Sequence, residues 1–353
     1  MAGGAGNPRR RALLVDVAAR AGVDPSTASR ALRDDPHVAQ QTRAAVKAAA
    51  AELDFVPNMA ARSLRLRRTH VLGILIPDLQ DPVHEGIISG FEHEARQAGC
   101  AVIMAAGEND AVRERLALKV FMEHGADGVA IVSSSLSPRR VWERVDPDRL
   151  VLVQPDHGRS LRREGPIVPG VIQTDDAGGM REAVDHLVDR GYRRVAYVGV
   201  GNGATSRVRR DAAAAALRRR GVTAPLIAYA VAADTWRAPA DLAAELAVDL
   251  PDAILCFDDK LALGLMDALR SLGVRVPDDV GLIGFDGIPF TAISSPRLTT
   301  VATPTRELGR LAAAALIAVT QTGRRPAGFL LRAELVVRES TRQLSGPGPT
   351  NTD

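Results

Sequence analysis

Val15–Leu32 reads VDVAARAGVDPSTASRAL. Ala18, Ala21, Val23, Ala28, Ala31 and Leu32 recur at helical spacing and make one apolar seam, and Gly22 falls between the halves, where a tight turn needs a residue tolerant of positive φ. Asp24 can accept amide hydrogens as an N-cap, and Pro25 suits the first helical position, which needs no N–H. The spacing predicts two short helices joined at Gly22. Such a pair is a helix-turn-helix, whose second helix fits the DNA major groove; the same pattern also suits a helical hairpin inside an ordinary bundle.

Outward from this unit, Arg33 to His37 reads as a turn. Val38 to Leu53 reads as a third helix, with Val46, Ala50 and Leu53 facing inward. Phe55, Val56 and Pro57 stop it. Asn58 to Leu64 can form one or two helical turns, too few to be stable alone because nucleation costs more than a few hydrogen bonds return. Charge follows the same division: through residue 70 there are twelve basic and six acidic residues, and beyond it 33 basic and 36 acidic. The excess of cation falls in the same seventy residues as the helix-turn-helix, where neutralised phosphates would supply affinity.

Residues 15 to 68 resemble, nearly without gaps, the DNA-binding headpiece of the LacI/GalR family of bacterial transcriptional regulators. The matching pieces are DVA at Asp16–Ala18, AGV at Ala21–Val23, STASR at Ser26–Arg30, TR at Thr42 and Arg43, and FVPNMAARSL at Phe55–Leu64. The resemblance continues to about Gln343. It implies that Pro25, Ser26 and Arg30 face base edges, with Thr27, Ser29 and Asn58 on phosphates or groove edges. It also implies that Asn58 to Leu64, with Ala61 among its DNA-side residues, is a hinge that folds on DNA beside the partner chain's hinge. Leu64 would be a wedge in a minor-groove step; a leucine there also suits plain linker packing. The family usually has a hydroxyl N-cap before the first and third helices, where this chain has Leu13 and Ala39.

From Val71 the character changes. VLGILIPD, CAVIMAA, DGVAIVSS, RLVLVQP, RVAYVGV, AILCFD and GLIGFD are short apolar runs separated by alanine-rich helical stretches. The alternation predicts an α/β core of doubly wound parallel sheets covered on both faces, with ligand-facing loops at the carboxyl ends of the strands. The resemblance implies two lobes like a periplasmic binding protein, around a cleft. The expected organisation is a flexible tail at 1–10, the helix-turn-helix domain at 11–57, hinge and linker at 58–70, a two-lobed effector-binding and dimerisation domain at 71–342, and a disordered tail at 343–353. Within the core, lobe 1 is expected at about 71–166 and 299–323, and lobe 2 at about 167–298 and 324–342.

Arg209, Asp258 and Asp286 stand where the family places ligand contacts, each near a strand end or helix start. A forked guanidinium and two carboxylates suit vicinal hydroxyls, though each residue alone also suits an interlobe salt bridge. Trp236, in ADTWRAP, falls near the family's aromatic platform and can stack on a ring or cap the lobe. The chain also departs from the family pattern. Val83 and His84 replace two aromatics, Ala212 and Ala213 replace a Gly-aromatic pair, and Gln154 stands where an aspartate is frequent. His84 and Gln154 therefore join the candidate effector contacts, and the pocket has less ring surface and one imidazole more.

Other classes find little footing. Gly199, Gly201 and Gly203 follow a strand but do not satisfy GxGxxG, and the seven histidines show no metal spacing or nucleophile elbow. No enzyme activity, cofactor or metal is expected. Cys100 and Cys256 read as buried free thiols of a reducing compartment. No apolar run is of membrane-spanning length, and the amino terminus lacks an apolar signal core, so a cytoplasmic protein without a membrane partner is expected. The resemblance implies a homodimeric repressor that binds double-stranded palindromic operator DNA and answers to a small-molecule effector, sugar-like in chemistry. A small-molecule carrier or enzyme on the same two-lobed fold, with no operator, is the other reading.

Overall fold

The computed structural model describes residues 12–55, 68–134, 141, 145–155, 170–201, 203–231, 236, 240–324 and 326–344. Residues 1–10, and with them the expected flexible tail, lie outside the described residues, as do Asn58, Ala61 and Leu64 of the expected hinge. The chain divides into two compact units, Met1–Thr69 and His70–Asp353.

The first unit holds three helices, α1 (Leu14–Arg20), α2 (Pro25–Ala31) and α3 (Gln40–Glu52). Gly22 takes φ +66°, the left-handed turn that the sequence pattern requires between α1 and α2. Val17, Ala18, Ala28, Ala31, Val38, Val46, Ala49 and Ala50 form the core, with Leu32, Leu53 and Phe55 packed on it. Neither Leu13 nor Ala39 supplies a side-chain cap. At α1 the Asp16 carboxylate instead accepts the Leu13 N–H at 2.7 Å, so one terminal amide is still satisfied.

The second unit is built on two six-stranded sheets. The first contains β1 (Val71–Ile76), β2 (Ala101–Ala106), β3 (Gly128–Val132), β4 (Leu150–Val153), β5 (Val171–Thr174) and β11 (Phe329–Leu331), in the order β11-β5-β4-β3-β1-β2. The second contains β6 (Val195–Val200), β7 (Ile227–Val231), β8 (Ala253–Cys256), β9 (Gly281–Asp286), β10 (Thr299–Ala302) and β12 (Glu334–Val336), in the order β12-β10-β9-β8-β6-β7. Among the described residues only β10 and β12 pair antiparallel. Strands such as β3 and β4 are buried along their whole length, which is why they read as unbroken apolar runs.

Helices cover both faces of each sheet. In the first lobe, α4 (Pro82–Gln97) and α10 (Thr305–Thr322) bury Ile87, Phe91, Leu308 and Leu316 on one face, and α5 (Ala111–Glu123) buries Leu118 and Phe121 on the other. In the second, α6 (Asp176–Asp189) and α7 (Ala204–Arg219) cover one face, and α8 (Ala240–Val248) and α9 (Asp259–Ser271) the other. Helices α4 and α10 touch backbone to backbone: a Cβ on Gly90 would lie 1.9 Å from the Arg306 carbonyl oxygen, and one on Gly309 would lie 1.9 Å from that of Ile87.

The lobe boundaries differ from those expected. Val171–Thr174 pairs with β4 and belongs to the first sheet, so the chain changes lobe after Thr174 and not near Pro166. Thr299–Ala302 pairs with β9 in the second sheet, whereas the α10 segment returns to the first lobe. Phe329–Leu331 pairs with β5 in the first sheet, so the last change of lobe falls between β11 and β12. Gly and Pro runs mark where the chain turns, but a strand's sheet is set by its distant hydrogen-bonding partner. Of the carboxyl-terminal segment expected to be disordered, Leu344 instead packs on the second lobe's core and its N–H reaches the Arg190 oxygen at 2.9 Å, while residues 345–353 lie outside the described residues. Cys256 is buried as expected, but Cys100 is only partly so. No helix among the described residues is long and apolar enough to cross a membrane.

Candidate functional site

Helix α2 begins at an Asp24 N-cap that accepts the N–H groups of Ser26 at 2.9 Å and Thr27 at 3.0 Å. Both hydroxyls turn back on the same carboxylate, Ser26 Oγ at 2.6 Å and Thr27 Oγ1 at 2.5 Å. These bonds hold the Asp24 carboxyl far below its usual range, with the Ser26 and Thr27 side chains the leading causes. Ala28 and Ala31 point into the core, so Pro25, Ser26 and Arg30 are left exposed on one face, with Thr27 and Ser29 half-buried beside them. Arg30 donates through Nε to Asp35 at 2.9 Å. The result is an exposed helix face, with Arg30 as its cation, of the width a major groove accepts.

In the second unit a cavity of about 300 Å³ is lined by residues from both lobes at the carboxyl ends of the strands. His84, Gln154, Arg209, Asp258 and Asp286 all line it. Trp236 does not. Its ring meets Phe290 edge to face at 5.9 Å and 81°, and it is 44% exposed, which departs from the expected aromatic platform. Phe290 follows β9, and its pairing with Trp236 has no local sequence signal.

Arg209 is the hub of the cavity floor. Its Nε donates to Asp176 at 2.8 Å, its Nη1 to the Phe257 oxygen at 2.5 Å and its Nη2 reaches Asp286 at 3.5 Å. The guanidinium lies 3.5 Å over the centre of the Phe285 ring, a cation–π contact that keeps it flat. Burial alone would lower its pKa, but Asp176 and Asp286 outweigh that and raise it, so it stays charged. Asp286 has φ +103°. Burial pushes its carboxyl well above the usual carboxylate range, with Arg209 pulling the other way. Asp259, behind it, accepts the N–H groups of Gly287 at 2.6 Å and Ile288 at 2.9 Å and the Thr300 hydroxyl at 2.6 Å, which fixes the loop that carries Asp286.

The opposite wall is equally set. His84 Nδ1 lies 2.6 Å from the Asp78 carbonyl oxygen, which can only accept, so the Nδ1 carries the proton and Nε2 is left for a cavity partner. Gln154 has φ +49° and turns its amide back on Thr174, accepting that N–H and donating to that hydroxyl, both at 2.8 Å. Ser133 and Gln154 share left-handed backbone at strand ends on this wall. Such conformations cost about 1–3 kcal/mol each and persist where surrounding structure over-determines them. Asp258 caps α9, accepting the Leu261 N–H at 2.7 Å.

Three participants escape a reading of the sequence. Asp176 holds Arg209, while Asp81 and Lys260 form a 2.6 Å ion pair between the lobes. The pair of aspartates after β5 was the one local signal for Asp176; its neighbour Asp175 takes the helix-cap role instead, accepting the Gly178 N–H at 2.8 Å.

A helix-turn-helix that exposes Pro25, Ser26 and Arg30 on one face, in one chain with a two-lobed ligand-binding core, defines a DNA-binding transcriptional regulator. The family model for bacterial regulatory proteins of the lacI family matches residues 13–58, and that for the periplasmic binding protein-like domain matches 184–341. The HTH-type transcriptional repressor PurR of Photobacterium profundum is 30% identical over 346 residues, which cover 95% of this chain and 100% of the relative. The ribose operon repressor of Escherichia coli is 30% identical over 314 residues, covering 87% and 92%. The chain belongs to the lacI family of bacterial regulatory proteins. Among solved structures, the Lac repressor dimer bound to operator and the anti-inducer ONPF shares the fold, with a TM-score of 0.82 at 24% identity, over 94% of this chain and 100% of the other. The complex of the transcriptional regulator CelR with cellobiose has a TM-score of 0.66 at 26% identity, over 94% and 100%.

Proposed function

We propose that this protein is a cytoplasmic repressor that binds a palindromic operator in double-stranded DNA as a homodimer, and that a sugar or related polar metabolite in the interlobe cavity controls its hold. It is not an enzyme on this reading. The observation that carries the proposal is the cavity itself: five of the six expected effector contacts meet there, in the same chain as a helix-turn-helix that exposes Arg30. Its wall offers carboxylates, an imidazole and one anchored guanidinium, which suit a ligand rich in hydroxyl hydrogens. The relative named as a ribose operon repressor, and the cellobiose-bound neighbour, support a small polar effector.

On the DNA side, Pro25 can offer only an apolar contact, Ser26 a hydroxyl and Arg30 a fork for guanine, while Thr27 and Ser29 reach the backbone. One headpiece spans too few base pairs, so two are needed. A surface for the second chain is available: Val112, Leu116 and Val120 make an exposed stripe on α5, beside Met104 on the edge strand β2. Ligand closure of the lobes would shift this interface and the spacing of the headpieces, a coupling of about 1–3 kcal/mol in typical cases.

The experiment is recovery of bound fragments from a pool of genomic DNA, followed by a gel shift with candidate metabolites added. Enrichment of a two-fold symmetric sequence whose complex is strengthened or dissolved by one metabolite supports the proposal. Metabolite binding with no enriched sequence would favour a carrier or enzyme on the same fold.

A further inference from the structure

Arg30 stands on the exposed face of α2, yet its guanidinium is held at one edge. Nε donates to Oδ2 of Asp35 at 2.9 Å, while Nη1 and Nη2 make no hydrogen bond among the described residues. Asp35 is itself anchored on every other side. Its Oδ1 accepts the His37 N–H at 2.9 Å and lies 3.0 Å from His37 Nδ1; its carbonyl oxygen accepts Arg43 Nη1 at 2.9 Å and the Val38 N–H at 3.1 Å. Arg43 belongs to α3, so the turn that carries Asp35 is fastened to the third helix. The neighbouring acid takes no part, because Asp34 pairs with Lys47 at 2.5 Å. The Asp35 carboxyl is held far below its usual range, first by Arg30 and then by the His37 N–H, so it stays charged.

A guanidinium held through Nε keeps one edge free, the end that carries Nη1 and Nη2. Two parallel N–H groups at that end match O6 and N7 of guanine. An arginine without such a post must lose its rotamer freedom at the moment of binding, and can spend that freedom equally well on a phosphate. We propose that Asp35 is a positioning residue for sequence reading: it grips Arg30 by Nε, presents the Nη1–Nη2 edge to a guanine, and sets selectivity without touching the DNA. This rests on the reading of Arg30 as base-facing.

The test uses the full-length protein and the tightest duplex that the wild type recovers from a randomised pool, beside a scrambled duplex of the same composition. The ratio of the two affinities is measured for wild type, Arg30→Ala, Asp35→Ala, Asp35→Asn and the Arg30→Ala/Asp35→Ala double variant. Arg30→Ala is expected to lower the ratio roughly 5- to 150-fold, the range of one bidentate base contact. Asp35→Ala should lower it roughly five-fold or more, the double variant no further than Arg30→Ala alone. Asp35→Asn, whose amide oxygen still accepts the Nε hydrogen, should keep most of the ratio. Asp35→Ala weakening or strengthening both duplexes alike, with the ratio intact, would overturn the proposal and leave Asp35 a turn residue or an electrostatic brake. Losses that multiply in the double variant would overturn it as well. An unchanged ratio in Arg30→Ala would instead sink the base-facing reading, and the proposal with it.

Discussion

The Lys260 ammonium lies 2.6 Å from the Asp81 carboxylate and 3.6 Å from that of Asp258. Asp81 caps α4 of the first lobe and Lys260 sits in the first turn of α9 of the second, so one ion pair ties the lobes at the cavity. The side chains are only 13% and 19% exposed, which places the pair between a surface and a buried one. Lys260→Met should lower the unfolding free energy by about 2–3 kcal/mol, somewhat under the ~3–5 kcal/mol of a fully buried pair. Amide hydrogen exchange across 78–84 and 257–262 should accelerate. Unchanged stability and exchange would show that the lobes are held by other contacts.

The contact of α4 with α10 makes a second, independent expectation. A methyl on Gly90 would meet the Arg306 carbonyl oxygen at 1.9 Å, and backbone in a packed helix cannot move aside as a side-chain end can. Gly90→Ala should therefore destabilise the first lobe by about 3 kcal/mol, the upper part of the usual range for overpacking. Denaturant unfolding would show this as a lower midpoint, and a midpoint equal to the wild type's would contradict the close approach.

Asp259 gives the core a pH dependence of known sign. Burial raises its carboxyl from 3.8 to about 7, against hydrogen bonds from Thr300, Ile288 and Gly287. Between those values the folded chain holds a proton that the unfolded chain has lost. The contribution to stability is thus full below 3.8 and declines as pH rises through about 7, at up to about 1.4 kcal/mol per pH unit. The stability of wild type minus that of Asp259→Asn should fall across this window. A difference that is flat with pH would mean the carboxyl is ionised throughout.

Arg209 should separate the two activities of the chain. Arg209→Met leaves Asp176 and Asp286 without their shared cation on the cavity floor, while the headpiece is a separate compact unit. Sequence-selective DNA binding is expected to survive with its response to metabolite lost. A variant that still answers the metabolite with wild-type sensitivity would remove Arg209 from the effector site.

What the sequence reveals follows from how local each signal is. Gly22, Asp24 and Pro25 act on their immediate neighbours, and the helix-turn-helix they announce is the one observed. The apolar runs of β3, β4 and β8 are legible because both faces are buried. Val171–Thr174 and Thr299–Ala302 were harder, since their sheets are set by partners elsewhere in the chain. The same distance hides part of the cavity. Arg209, Asp258 and Asp286 could be placed from strand ends and family resemblance, but Lys260 finds Asp81 across 179 residues and Asp176 finds Arg209 across 33. Trp236 sits in a polar stretch that suits a ligand platform, but its ring meets Phe290, a partner far along the chain that no local signal announces.

The central claim is that the amino-terminal unit reads DNA sequence. The most direct measurement is fluorescence anisotropy of full-length protein on the recovered palindrome and on its scramble, at salt from 50 to 200 mM. Affinity for both should fall steeply with salt as phosphate counterions are displaced, while the palindrome stays roughly a thousand-fold tighter or more near physiological salt. Equal binding of the two duplexes across that range, or binding of neither at the lowest salt, would contradict the account.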